Sequence, residues 1–315
     1  MYRVRRRPVL LVAALSLTFA YTAFSAAGRL LGSTTRISNE QHRAYLSGQR
    51  RTRGPGVRWP VRGQAALVLG NGRPMASRDE QAAPIASLAK VMTAYLTLER
   101  YPLSGEQAGF TMTVTSADAQ AEVDDVSEDQ SGVAVQAGEQ LTERQLLEAL
   151  LIPSGNNIAQ MLADRVAGSE SGFVAEMNAE ARVLGMTHTT YTDPSGFDPS
   201  TVSTAADQLR VFRQAMRSVV FSQIVSMASV TLPVAGPLTN FNPLISDGFA
   251  GKTGSDSAAA GCLAFFTHVT VGGRRETAVG VVMGQGQGSN TAQILAAAGQ
   301  AAQQLVASAT PTSFR

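Results

Sequence analysis

At 315 residues with 44% hydrophobic content, the chain can bury the core of one large or two modest domains, and its net charge of only +2 gives no bulk reason to bind nucleic acid. A single cysteine, Cys262, excludes an internal disulfide and a cysteine-based zinc site, and three scattered histidines, His42, His188 and His268, suggest no metal cluster.

The first 27 residues read as a signal peptide or a signal anchor. Arg3, Arg5, Arg6 and Arg7 precede an apolar run from Val9 to Ala27, and small residues at Ala23, Ser25 and Ala26 permit cleavage. Either way the remainder is expected to be exported, to the periplasm or cell wall, with residues 9–27 as a membrane anchor if they are retained. Residues 28–62 carry eight arginines, one acid (Glu40) and Gly-Pro-Gly at 54–56, the composition of a flexible basic linker. The folded part is expected over 63–308, with a loose tail at 309–315.

Two short apolar stretches flank Gly70-Asn71-Gly72 and predict a hairpin. Leu88, Val91, Met92, Tyr95 and Leu96 recur at helical spacing, so a buried helix opens near Ser87. Thr142 with Gln145 forms a capping box for a helix that Pro153 ends, and a second helix follows Ser154-Gly155-Asn156. Further helices are predicted over 170–184, 204–217 and 291–307. Strands are predicted over 228–234, 258–269 and 275–283, with Gly272-Gly273 turning between the last two. The acidic stretch Asp118–Gly132 fails as an EF-hand, since a register begun at Asp125 puts Gln130 where glycine belongs and Gln136 where the bidentate glutamate belongs; it reads as a solvated loop. The pattern predicts an α/β (α+β) fold: an antiparallel sheet built from both ends of the chain, flanked by helices, with an all-helical block at about 105–225 inserted.

Of the 26 basic residues only two are lysines, Lys90 and Lys252. Arginine stays protonated in a protein, whereas a desolvated lysine can release its proton, so two lysines in an arginine-rich chain are candidates for chemistry. Ser87 and Lys90 stand at i and i+3 of the predicted helix, on one face. A neutral Lys90 amine would serve as base for the Ser87 hydroxyl if burial or a nearby cation lowers its pKa, and Lys252 is the candidate cation. Ser154 and Asn156 would face a pocket from one loop, the carboxamide suited to a substrate amide. Lys252-Thr253-Gly254 precedes the strand at 258–269. There Gly254 would let a substrate backbone approach, Thr253 would bind a carboxylate, and the amides of Ser255 and Ser87 would form an oxyanion hole.

The order Ser-x-x-Lys, Ser-x-Asn, Lys-Thr-Gly, with the longer runs "APIASLAKVMTAYLTLE", "AGEQLTERQLLEALLIPSGNNIAQMLA", "FVAEMNAEARVLGMTHTTYTDPSGFDPSTVSTAADQ" and "DGFAGKTG", resembles the D-alanyl-D-alanine carboxypeptidases, low-molecular-weight penicillin-binding proteins of the S11 peptidase type, from about Gln64 to Gly284. The resemblance implies a serine β-lactamase/DD-peptidase fold with a cleft between sheet and helical domains. Ser87 would be acylated by the penultimate D-alanine of a peptidoglycan stem peptide with Lys90 as base. Ser154, helped by Lys252, would pass a proton to the leaving D-alanine, and Asn156, Thr253, Gly254 and Ser255 would bind substrate. β-Lactam antibiotics would acylate the same serine, and no metal or organic cofactor is required.

The sequence departs from the family where the substrate's terminal carboxylate is read. Asp256 stands where threonine is usual, and "QGQGSNTAQILAAAG" lacks the arginine expected after the strand ending "VVMG". An acid there should repel a carboxylate, leaving Thr253 and Arg274 or Arg275 to bind it. Three readings follow: a carboxypeptidase with a modified carboxylate site, an endopeptidase on cross-links, and a wall-binding or β-lactam-sensing protein with little turnover. A β-lactamase would need a deacylating group for which no counterpart motif is present.

Overall fold

The computed structural model describes residues 56–310 except Asp129, Gln287 and Ser289. The predicted signal segment, most of the linker and the last residues of the tail lie outside the described residues. Among those described, no helix is long and apolar enough to cross a membrane.

Strand β1 (Gln64–Leu69) and the short β2 (Met75–Ala76) form the predicted hairpin around Gly70-Asn71-Gly72. After β3 (Ala83–Pro84), a 3₁₀ turn at Ala86–Leu88 leads into α1 (Ala89–Arg100). Then come β4 (Thr111–Thr113), α2 (Ser116–Ser127), β5 (Gln140–Thr142), α3 (Glu143–Leu151), α4 (Asn156–Ala167) and α5 (Glu170–Val183). They are followed by β6 (Val202–Ser203), α6 (Ala205–Ala215) and α7 (Val219–Ile224). The chain ends in β7 (Ser229–Leu232), β8 (Gly236–Thr239), β9 (Ala250–Asp256), β10 (Ala260–Val271), β11 (Arg274–Gln285) and α8 (Thr291–Ala309).

The main sheet is antiparallel in the order β2-β1-β11-β10-β9, so the first strand is zipped against the last. Side chains alternate across a strand, and both faces of this sheet are apolar. Ala65 and Leu67, Leu263 and Phe265, and Ala278 and Val282 face one core with Ala298, Ala302 and Leu305 of α8. Ala66 and Val68, Cys262 and Ala264, and Val281 and Met283 face the other, which runs into the helical block. Both faces are thus covered by helices. Helix α1 is the axis of that block: Val91, Met92 and Ala94 are fully buried, and the stripe is wide enough to enclose Lys90 as well.

Three local readings change. The acidic stretch is not a loop over most of its length but helix α2, started by a capping box between Thr115 and Asp118. Lys252-Thr253-Gly254 precedes the predicted strand, now β10, but is itself strand rather than loop: it lies inside β9, an edge strand paired to β10 with Lys252 opposite Ala264. Ala250–Gly254 are all buried, but Gly251, Lys252, Thr253 and Gly254 replace the apolar run that otherwise marks a buried strand. The end of the presumed linker is packed: Val57 is buried in the sheet–α8 core, and the Arg58 amide donates to Ser308 Oγ at 2.8 Å.

Candidate active site

Ser87 stands in the 3₁₀ turn that enters α1, one turn before Lys90. The turn is forced: Ala86 has φ +45°, and a side chain at Gly196 would put its Cβ 1.9 Å from the Ala86 carbonyl oxygen. Such a conformation costs about 1–3 kcal/mol and persists only where the surroundings impose it. Lys90 Nζ donates to Ser87 Oγ at 2.8 Å, to Asn156 Oδ1 at 2.6 Å and to the Ser195 carbonyl at 3.1 Å.

The Ser195 carbonyl is held by a knot around Asp193. Asp193 Oδ2 accepts from Ser195 N (3.1 Å), Ser195 Oγ (2.6 Å), Gly196 N (2.7 Å) and Phe197 N (2.9 Å), and Oδ1 accepts from Thr201 Oγ1 at 2.6 Å. Thr93 Oγ1 of α1 donates to the Pro194 carbonyl at 2.6 Å, fastening the knot to the helix that carries Lys90.

The second lysine repeats the pattern. Lys252 Nζ donates to Ser154 Oγ at 3.0 Å and to the Thr253 carbonyl at 2.9 Å. Ser154 sits between α3 and α4 with φ +68°, a second strained non-glycine residue at the site.

Both lysines are buried, and neither has a carboxylate in ion-pair contact among the described residues. Burial lowers the Lys90 amine from its ordinary value to about 7, partly offset by the more distant charges of Asp193 and Asp125. Burial also pushes Lys252 well below its ordinary value, and the Lys90 charge adds to that. Of the two expected causes, burial is the one that lowers Lys90, because an ammonium taken out of water without a counter-charge is strongly disfavoured.

A cleft of about 150 Å³ is lined by Ser87, Ser131, Ser154, Thr253, Gly254 and Ser255, with Phe241, Thr291 and Leu295 completing it. Of the eight residues singled out from the sequence, Ser87, Ser154, Thr253, Gly254 and Ser255 line this cleft. Lys90 and Lys252 reach two of its serines, Ser87 and Ser154. Asn156 instead lines a neighbouring cavity of about 310 Å³, and its carboxamide is already committed: Oδ1 to Lys90, Nδ2 to Gln130 Oε1 at 2.7 Å. The reason for Gly254 also changes. A Cβ there would lie 2.8 Å from the Ile85 oxygen and 3.2 Å from the Ser87 amide, so the glycine admits the protein's own nucleophile turn against β9.

Asp256 is not among the cleft-lining residues. Its Oδ1 accepts from the amides of Ala258 (2.7 Å) and Ala259 (2.5 Å), closing the turn from β9 to β10. Arg274 and Arg275 are no substitute for a carboxylate-binding arginine. Arg275 pairs with Thr270, six residues along β10 from the partner of Lys252, a separation of roughly 20 Å, and both side chains are exposed at the far turn. Cys262 is buried, with burial pushing its thiol up to about 12, as expected of an inert core residue.

Asp193, Gln130, Ser131 and Asn157 were not found from the sequence. For Asp193 a signal existed: Asp193-Pro-Ser-Gly196 has the composition of a turn in which a carboxylate gathers the following amides. Gln130 and Ser131 fall in the acidic stretch, where charge hid them.

The model of the D-alanyl-D-alanine carboxypeptidase family, peptidase S11, matches residues 65–286. The chain belongs to this family. The D-alanyl-D-alanine carboxypeptidase DacB2 of Mycobacterium tuberculosis is 36% identical over 232 residues, 70% of this chain and 73% of its own. A D-alanyl-D-alanine endopeptidase of Pseudomonas aeruginosa is 31% identical over 198 residues, 59% of this chain and 60% of its own. Among solved structures, the Streptomyces K15 DD-transpeptidase superposes with TM-score 0.66 at 23% identity, over 82% of this chain and 99% of that one, a likeness of fold. A penicillin-binding protein homologue from M. tuberculosis gives 0.62 at 30% identity, over 82% and 95%. The S11 membership and the antiparallel sheet with its helical block agree with the family and fold read from the sequence.

Proposed function

We propose that this chain is an extracytoplasmic serine-type D-Ala-D-Ala carboxypeptidase that removes the terminal D-alanine from peptidoglycan stem peptides and is acylated by β-lactams. One observation carries the chemistry: a fully buried lysine, lowered to about 7, lies 2.8 Å from the Ser87 hydroxyl. At neutral pH and above, the amine is available to take the serine proton.

The steps then follow from the geometry. Ser87 Oγ attacks the carbonyl carbon of the penultimate D-alanine as its proton passes to Lys90 Nζ. The developing oxyanion is assigned to the amides of Ser87, at the start of α1, and Ser255, on the edge strand β9. When the C–N bond breaks, the leaving amine takes the proton of Ser154 Oγ, the proton held by Lys90 replaces it, and Lys252 keeps the Ser154 oxygen in place through its 3.0 Å N–H contact. A water then adds to the acyl carbon as its proton passes to Lys90, which returns it to Ser87 Oγ as the acyl–oxygen bond breaks and the shortened peptide leaves. Asn156 acts through Lys90 in this scheme, since both its polar atoms are engaged within the protein.

Export and attachment to the cytoplasmic membrane through residues 9–27 are part of the proposal, as are a catalytic region over 63–308 and a helical block of about 105–225 inserted in it. The endopeptidase reading keeps one specific support: no arginine lines the cleft. Purified protein incubated with a pentapeptide ending in D-Ala-D-Ala and, separately, with a cross-linked dimer distinguishes the readings. Free D-alanine from the first supports the carboxypeptidase, monomer release from the second supports the endopeptidase, and neither product supports a β-lactam-sensing protein. Fluorescent penicillin should label the wild type and not Ser87→Ala; labelling of that variant would refute the nucleophile.

A further inference from the structure

We infer that Gln130 is a positioning residue for the general base: it holds the Asn156 carboxamide with its oxygen toward Lys90 and so keeps the lysine's lone pair on Ser87. This rests on the serine–lysine reading above.

A charged lysine amine has three N–H donors and no acceptor; a neutral one has two donors and a lone pair. Lys90 Nζ has three neighbours, and two of them, Asn156 Oδ1 and the Ser195 carbonyl, are placed as acceptors. When the amine is neutral, those two take its N–H groups, and the lone pair is left facing the third neighbour, Ser87 Oγ. The Ser195 oxygen belongs to the backbone and is fixed by the Asp193 knot. The Asn156 oxygen has no such guarantee, because a carboxamide can turn over. Turned over, it presents Nδ2, a donor, which competes with Ser87 for the lone pair.

Gln130 opposes that rotation. Its Oε1 accepts from Asn156 Nδ2 at 2.7 Å, and its own Nε2 donates to Glu128 Oε2 at 2.9 Å, which fixes its orientation in turn. The segment is stitched to the start of α4. The Asn156 amide donates to the Ser131 carbonyl at 2.7 Å, and the Asn157 side chain both accepts from the Val133 amide (3.0 Å) and donates to the Val133 carbonyl (2.9 Å). Gln130 N also donates to the Asp125 carbonyl at 2.9 Å, tying it to α2. The charged groups that act on Lys90 are Asp193, Asp125 and Lys252, from the knot, α2 and β9. None of these changes when Gln130 is replaced by a neutral residue.

The test is the rate of acylation of the full chain by fluorescent penicillin across about pH 5 to 10 for wild type, Gln130→Leu and the double variant Gln130→Glu with Glu128→Gln, with thermal melts alongside. In Gln130→Leu the ammonium form loses a held acceptor, so the acid limb should move down by about one pH unit while the plateau falls roughly tenfold. A merely destabilised protein would lower the plateau and leave the limb in place. Gln130→Glu, made together with Glu128→Gln so that position 128 donates to it, still accepts from Nδ2 and should keep the plateau. An unmoved limb in Gln130→Leu, or a double variant as slow as Gln130→Leu, overturns the inference. Failure of the wild type itself to be labelled strikes the serine–lysine reading instead.

Discussion

Replacing Lys90 with arginine removes the base and leaves the charge. The lysine's lowering from 10.5 to about 7 corresponds to about 5 kcal/mol for holding an ammonium at this site rather than in water. Lysine sheds that penalty gradually as pH rises from about 7 to 10.5, by releasing its proton in the folded chain; arginine cannot. Lys90→Arg should therefore be less stable than wild type by only about 1 kcal/mol at pH 8, growing toward about 5 kcal/mol near pH 10.5, less whatever the Asn156 and Ser195 oxygens return by bonding the guanidinium. General-base assistance is worth roughly 10²–10⁴-fold, so acylation should fall by at least a hundredfold and show no rise with pH. In the wild type the rate should climb as pH rises through about 7, where the ammonium becomes the amine. Lys90→Met guards against confusion with misfolding: it is neutral and similar in length, should melt no lower than wild type at pH 6, and should be equally slow. The assay is single-turnover labelling by fluorescent penicillin, with melting curves on the same samples. A folded Lys90→Met that acylates at the wild-type rate would refute the base assignment.

Asp256→Ala removes the acceptor that closes the turn from β9 to β10 and should cost about 0.5–2 kcal/mol while leaving acylation within twofold. For the same reason Asp256→Thr should not increase release of terminal D-alanine; a severalfold gain would show that the carboxylate does repel the substrate. Glu143 is buried with Oε1 unpartnered, and burial raises its carboxyl to about 7 against an ordinary 4.5. A raised carboxyl favours the protonated fold, so its contribution is fully present below about pH 4.5 and is lost as pH rises through about 7. Glu143→Gln should be more stable than wild type by about 1–3 kcal/mol at pH 8 and no more stable at pH 4. Equal effects at the two pH values in a thermal melt would contradict this.

The residue types and spacings in the chain settled the nature of the chemistry. Only two lysines occur, each beside a serine in its motif, and the i, i+3 geometry of a helix put Ser87 and Lys90 on one face before any tertiary contact was known. Capping and proline signals placed α3 and α4 around Ser154. Continuous apolar stretches between turn glycines placed β1, β10 and β11, since a strand with both faces covered needs apolar side chains in both directions. Tertiary structure decided what local pattern cannot encode. Whether a lysine is neutral depends on what surrounds it in space, and burial, not the second lysine, supplies that for Lys90. Whether Asp256 meets the substrate depended on which amides its carboxylate finds, and they are those of Ala258 and Ala259. The acceptors that aim the amine, Asn156 Oδ1 and the Ser195 carbonyl, lie 66 and 105 residues from Lys90. Gly254 is needed because a turn formed 170 residues earlier packs on it, a contact that exists only once the two ends of the chain share one sheet.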